Sequence, residues 1–191
     1  VIYSPSPDFD NELLDTLVVR GDRISKSMEK PAGTYRATAN RSHDLLHTSL
    51  DLRLDWKNRQ VIGSAELLIT PYFYSSDMLE LDAVNFDISS LELISSDHKQ
   101  ALQYHYDSKK IDIRLDQVYG RQDTFTIRIE YVAKPEQDAR TQVFSIGSDQ
   151  GLFFINPQGT HPGKPTQVWT QGETEYNSRW FPTIDKPNER C

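Results

Sequence analysis

The sequence predicts a mainly β protein, an antiparallel β-sandwich or saddle-like twisted sheet with a short N-terminal helix. Three observations carry this. Apolar residues recur at every second position through most of the stretch from Leu50 to Val132, which is the period of a strand with one buried face. Polar breaks such as Asp107-Ser108, Lys109-Lys110 and Tyr119-Gly120 interrupt the alternation at regular spacing, as turns between short strands do. Each strand keeps one polar face, which suits antiparallel sheets packed face to face and not a parallel sheet covered on both sides.

The elements follow in chain order. Leu13, Leu14, Leu17 and Val18 share one helical face between Asp10, placed as an N-cap, and Gly21, placed as a C′ stop. A charged run from Asp22 to Gly33 closes on Pro31-Ala32-Gly33 and reads as a linker. The predicted organisation is therefore a helix and linker over 1–33 and one β domain over 34–191. Leu50, Leu52, Leu54 and Trp56, then Val61, Gly63, Ala65, Leu67 and Ile69, alternate on either side of the polar turn Lys57-Asn58-Arg59-Gln60. This predicts a long hairpin, ended by Pro71. Further strands are predicted at Met78–Ala83, Leu91–Ile94, Gln103–Tyr106, Ile111–Leu115 and Phe125–Val132, with a short apolar run at Gly151–Ile155. A loop rich in Pro and Gly then delivers the chain to Val168–Cys191, expected at the edge of the sheet domain and outside its core.

The 191 residues suffice for one well-buried core. With 37 % hydrophobic and 26 % charged residues the composition is that of a globular domain, and it carries no transmembrane segment. A formal charge of -7 with no Lys/Arg cluster would repel phosphate backbones, which argues against nucleic acid as a partner. Cys191 is the single cysteine, so no intrachain disulfide forms. That suits a cytoplasm or a Gram-negative periplasm, and the periplasm or cell envelope is the favoured compartment.

Most catalytic chemistries lack support. His43 and His47 are four apart, a metal-pair spacing on a helix, but they lie in the lead into a strand with no third ligand near in sequence. His98, His105 and His161 are isolated, and no His-Glu-x-x-His run occurs. No Gly-x-Ser-x-Gly elbow or phosphate-cradling glycine loop is present. Tyr72, Phe73 and Tyr74 could stack on a sugar, although a run on a strand edge more often packs. In the tail, Gln171 and Glu173 flank Gly172, and in extended backbone both side chains point one way. An amide oxygen and a carboxylate so placed could hold a small cation such as an ammonium by charge-assisted hydrogen bonds.

Thr170-Gln171-Gly172-Glu173, followed by Ser178 to Arg190, resembles the end of the N-terminal domain of the zinc aminopeptidase N family. Members carry Gln-x-Glu, an aromatic-Pro pair, Asp-x-Pro and a basic residue three positions on. Gln171, Glu173, Phe181, Pro182, Asp185, Pro187 and Arg190 fall on that pattern. The departures are Ile184-Asp185-Lys186-Pro187 in place of the commoner Phe-Asp-Glu-Pro and an N-terminal helix with no counterpart. The resemblance implies a saddle-like β domain that packs on a thermolysin-like catalytic domain. It also implies that this chain stops just before that domain, with zinc held only in the longer parent. It assigns no catalytic residue and no metal ligand here. Gln171 and Glu173 become the element that binds the free α-ammonium of a peptide, while Phe181, Pro182, Asp185, Pro187 and Arg190 shape the crossing segment. Trp180 and Phe181 are then expected to be partly exposed. The alternative function is a free-standing β-sandwich module that binds carbohydrate or protein.

Overall fold

The computed structural model describes residues 40–95, 98–137 and 149–189. The expected N-terminal helix lies outside them, as do Arg190 and Cys191. Among the described residues ten strands run in order: β1 His43–Asp55, β2 Gln60–Pro71, β3 Ser76–Asp82, β4 Phe86–Ile94, β5 Lys99–Ala101, β6 Gln103–Tyr106, β7 Lys110–Tyr119, β8 Phe125–Ala133, β9 Leu152–Ile155 and β10 Gln167–Thr170. They form antiparallel sheets of five strands in the order β1-β2-β8-β4-β5, three in the order β3-β7-β6, and two as β10-β9. The mainly β, antiparallel expectation holds.

The alternation read from the sequence is what the packing uses. Val61, Ala65, Leu67 and Ile69 of β2 are buried, as are Phe125, Ile127, Ile129, Tyr131 and Ala133 of β8. These strands pair in register, Ala65 opposite Ile129, so their apolar residues fall on the same face. Leu79 and Leu81 of β3 and Ile111, Ile113 and Leu115 of β7 join the same buried cluster, so the two larger sheets share one core. Phe86 and Tyr131 stack at 4.8 Å between ring centres. Tyr106 ties the small sheet to the large one: its hydroxyl donates to Ala83 O at 3.1 Å and accepts from Phe86 N–H at 2.7 Å.

Strand limits differ from the sequence reading in informative places. β1 starts at His43, ahead of the first alternating leucine, because a bulge between Leu45 and His47 breaks the period there. That bulge turns His43 into the core and leaves His47 exposed, so the two imidazoles are not brought together. Among the described residues no group of three or more His, Cys, Asp or Glu is gathered to hold a metal. Tyr72, Phe73 and Tyr74, expected to pack, are exposed in the loop after β2, with Tyr74 79 % accessible. Pro71 ends the strand, and the three rings follow it past the edge of the core.

Candidate functional site

The tail is built on the β9-β10 ribbon. Its apolar residues pair Val168 with Phe154 and Trp169 with Phe153, and Phe154 packs edge-on against Trp56 at 5.5 Å. Pairing runs one residue past β10, where Gln171 N–H donates to Gly151 O at 2.8 Å. Gly151 has φ +70°, and a Cβ there would lie 1.9 Å from Tyr176 O, so no larger residue fits where the tail folds back over the ribbon.

Gln171, Gly172 and Glu173 open a loop that closes on itself, with Tyr176 N–H donating to Gly172 O at 2.9 Å. Asn177 lies against Gly172 so closely that a Cβ would come within 2.2 Å of its Oδ1. The loop is thereby seated on the 3₁₀ turn Asn177–Arg179. Glu173 is exposed and Gln171 half-buried. The two lie side by side, Glu173 N–H reaching back to Gln171 Oε1 at 3.5 Å. Among the described residues no cation pairs with the Glu173 carboxylate. Its neighbours are engaged: Glu175 and Asp82 both face Lys186 Nζ, at 3.6 and 3.4 Å, and Asp149 faces Arg179 at 3.4 Å.

Asp185 anchors the turn. Its Oδ2 accepts Ser178 N–H at 2.8 Å, while Asp185 N–H donates to Asp82 Oδ2 at 3.0 Å. Burial first, and the nearby Asp82 second, push the Asp185 carboxyl above the usual carboxylate range, against the lowering effect of the Ser178 hydrogen bond. Asp82 and Thr183 exchange backbone hydrogen bonds at 2.7 and 3.1 Å, which lays the segment after Pro182 alongside the end of β3. Tyr131 OH donates to Trp180 O at 3.1 Å, and burial raises its phenol pKa.

Two expectations for this segment are corrected. Phe181, expected to be partly exposed, is buried, while Trp180 is half-buried as expected and packs on it at 4.5 Å. Pro182, Thr183 and Asp185 are buried as well, so part of the tail belongs to the core. The cause is the Asp82–Thr183 pairing, which carries Phe181 inward. Pro187 is exposed.

Sequence reasoning missed Glu189. Its side chain is 1 % accessible and accepts from Arg41 Nε at 2.9 Å, Arg41 Nη2 at 3.2 Å and Leu45 N–H at 2.8 Å. Arg41 also pairs with Asp44 and lies 4.5 Å over the Tyr72 ring. No local spacing announces a contact between partners so far apart in the chain.

The family model for the Peptidase M1 N-terminal domain matches residues 41–191. The chain belongs to that family. Solved structures with the same fold include yeast LTA4 hydrolase in complex with bestatin, with 19 % identity and a TM-score of 0.58 over 87 % of this chain and 25 % of that one. An M1 zinc metallopeptidase from Deinococcus radiodurans bound to a Tyr-Ser-Ala substrate shares 15 % identity at a TM-score of 0.58, over 81 % of this chain and 32 % of that one. This M1 N-terminal domain thus spans between a quarter and a third of the length of those structures. No curated protein is similar enough to match it. Among the described residues no helix is long and apolar enough to cross a membrane.

Proposed function

We propose that this M1 N-terminal domain is the non-catalytic, substrate-end-binding part of a zinc-dependent aminopeptidase that removes N-terminal residues from peptides. Within it, Glu173 pairs with the free α-ammonium and Gln171 lines the same pocket. One observation carries the reading: Glu173 is an exposed carboxylate with no cation among the described residues, on a loop seated by the Gly172–Asn177 contact. The other acids of the loop and turn already face Lys186 or Arg179.

The chemistry follows from that placement. An α-ammonium offers three N–H donors, and a carboxylate with an adjacent amide oxygen offers acceptors for them. An exopeptidase must count from the chain end, and an anion held at a fixed distance from the cleaving group does this by position. The sequence holds no His-Glu-x-x-His run, so zinc and the water it activates belong to the catalytic domain proposed as this domain's partner. The residues here bind and orient; none cleaves.

Glu173→Gln in the full-length parent tests the reading. It keeps the shape and removes the charge, and is expected to raise KM for free-amine peptides and cost about 2–4 kcal/mol in kcat/KM. An unchanged kcat/KM removes Glu173 from the site. Sequence downstream of Cys191 tests the parent: it should encode His-Glu-x-x-His, and a stop codon there would favour the binding-module alternative.

A further inference from the structure

The loop after β10 carries two acids, Glu173 and Glu175, that are chemically alike and only two residues apart. Their surroundings differ. Glu175 faces Lys186 Nζ at 3.6 Å, and the same ammonium lies 3.4 Å from Asp82, while Glu173 has no cationic neighbour among the described residues. The main chain at Lys186 is held by hydrogen bonds on both sides. Its backbone N–H donates to Ile184 O at 3.0 Å, and its carbonyl accepts from Glu189 N–H at 2.9 Å. The carboxylate of Glu189, bound by Arg41 and Leu45 N–H, pins that turn to β1.

Glu175 and Lys186 also line a cleft of about 280 Å³, together with Lys109, Lys110 and Arg179. Four cations, Lys109, Lys110, Arg179 and Lys186, line that cleft beside the carboxylates of Asp82, Glu175 and Asp185. With an acid at 186, Glu175 would lose its partner and Asp82 would face a second carboxylate.

We infer that Lys186 is a positioning residue: it occupies Glu175 and so assigns the substrate's α-ammonium to Glu173. This rests on the proposed role of Glu173. The physics is selection by making the wrong site unfavourable, since a second ammonium at Glu175 must displace Lys186 or be repelled by it.

The test is a mutant cycle in the full-length parent, with leucine p-nitroanilide as the free-amine probe. Glu173→Gln is expected to raise KM by about tenfold or more in the wild-type and Lys186→Arg backgrounds, as loss of a charge-assisted hydrogen bond does. In the Lys186→Met background the same change is expected to cost about threefold or less, because Glu175 then stands in. Adding Glu175→Gln to that background restores the full cost, whereas Glu175→Gln alone in wild type leaves KM within about twofold. Lys186→Gln serves as a second neutral variant should the methionine variant fold poorly. Equal cost of Glu173→Gln in all backgrounds overturns the inference, and so does an effect of Glu175→Gln alone that matches Glu173→Gln. No effect of Glu173→Gln in wild type overturns the reading of Glu173 itself, and this inference with it.

Discussion

The five-stranded sheet and the tail from Gln171 to Glu189 belong to one domain but are held by different forces. In the sheet, β2 and β8 bury a continuous apolar face, and specificity comes from register: a slip of one residue would turn every core side chain outward. In the tail, apart from Phe181 in the core, the fixing contacts are polar and mostly reach backbone: Asp185 to Ser178 N–H, Glu189 to Leu45 N–H, Tyr131 to the Trp180 carbonyl. The first arrangement is strong and indifferent to exact side-chain chemistry. The second is weaker in each contact but directional, which is what a loop needs if it is to hold Glu173 in one place.

The sharpest way to break the sheet is to open a void between β2 and β8. Ile129 is fully buried opposite Ala65. Ile129→Ala is expected to destabilise the domain by about 2–5 kcal/mol through lost burial and the cavity left behind. Urea unfolding followed by far-UV circular dichroism reads this directly. A change below about 1 kcal/mol would mean that the core collapses around the gap, contrary to a closely packed sandwich.

Breaking the tail should look different. Gly172→Ala places a methyl group against the Asn177 amide, so that side chain must swing out of the contact that seats the loop on the 3₁₀ turn. The expected cost is about 1–3 kcal/mol by overpacking. Amide exchange should show it as faster exchange confined to 171–180, with β2 and β8 keeping their protection. Uniform acceleration across both regions would show that sheet and tail open as one unit, and the contrast drawn above would fail.

That contrast also explains what was legible in advance. The sheet could be read because burial on one face writes itself as alternation: Val61, Ala65, Leu67 and Ile69 announce β2 without any knowledge of β8. Gln171 and Glu173 were legible as a spacing, and the motif resemblance placed Phe181, Pro182, Asp185 and Pro187 on a crossing segment. The burial of Phe181 was not, because it depends on Thr183 pairing with Asp82, a contact between distant stretches of chain. Glu189 was invisible for the same reason. A carboxylate buried by Arg41 and a strand N–H looks, in sequence, like any charged residue near a chain end. Tyr72 to Tyr74 misled in the other direction, since aromatic content speaks for packing but Pro71 carries the rings past the sheet.

The smallest expected effect separates the two regions by the sign of their response to pH. His43, on the sheet, is buried edge-on to Phe125 with its Nε2 unpartnered, and burial lowers its pKa below the ordinary 6.5. The folded state therefore binds this proton less tightly than the unfolded chain. The stability His43 contributes is present above about pH 6.5 and is lost as pH falls through the lowered folded value. Asp185, in the tail, has its pKa raised above 3.8, chiefly by burial. Its contribution has the opposite course: fully present below the unfolded value and lost as pH rises through the raised folded one. Urea midpoints measured from about pH 4 to about pH 8 should show this in two variants. His43→Gln is expected to flatten the fall in stability on the acid side of neutrality. Asp185→Asn removes a decline that begins above the ordinary aspartate range, keeping an oxygen to accept Ser178 N–H. A His43→Gln profile parallel to wild type would mean that the imidazole is hydrated in the folded state, and the bulge in β1 would then no longer mark the point where the sheet draws a titrating group into its core.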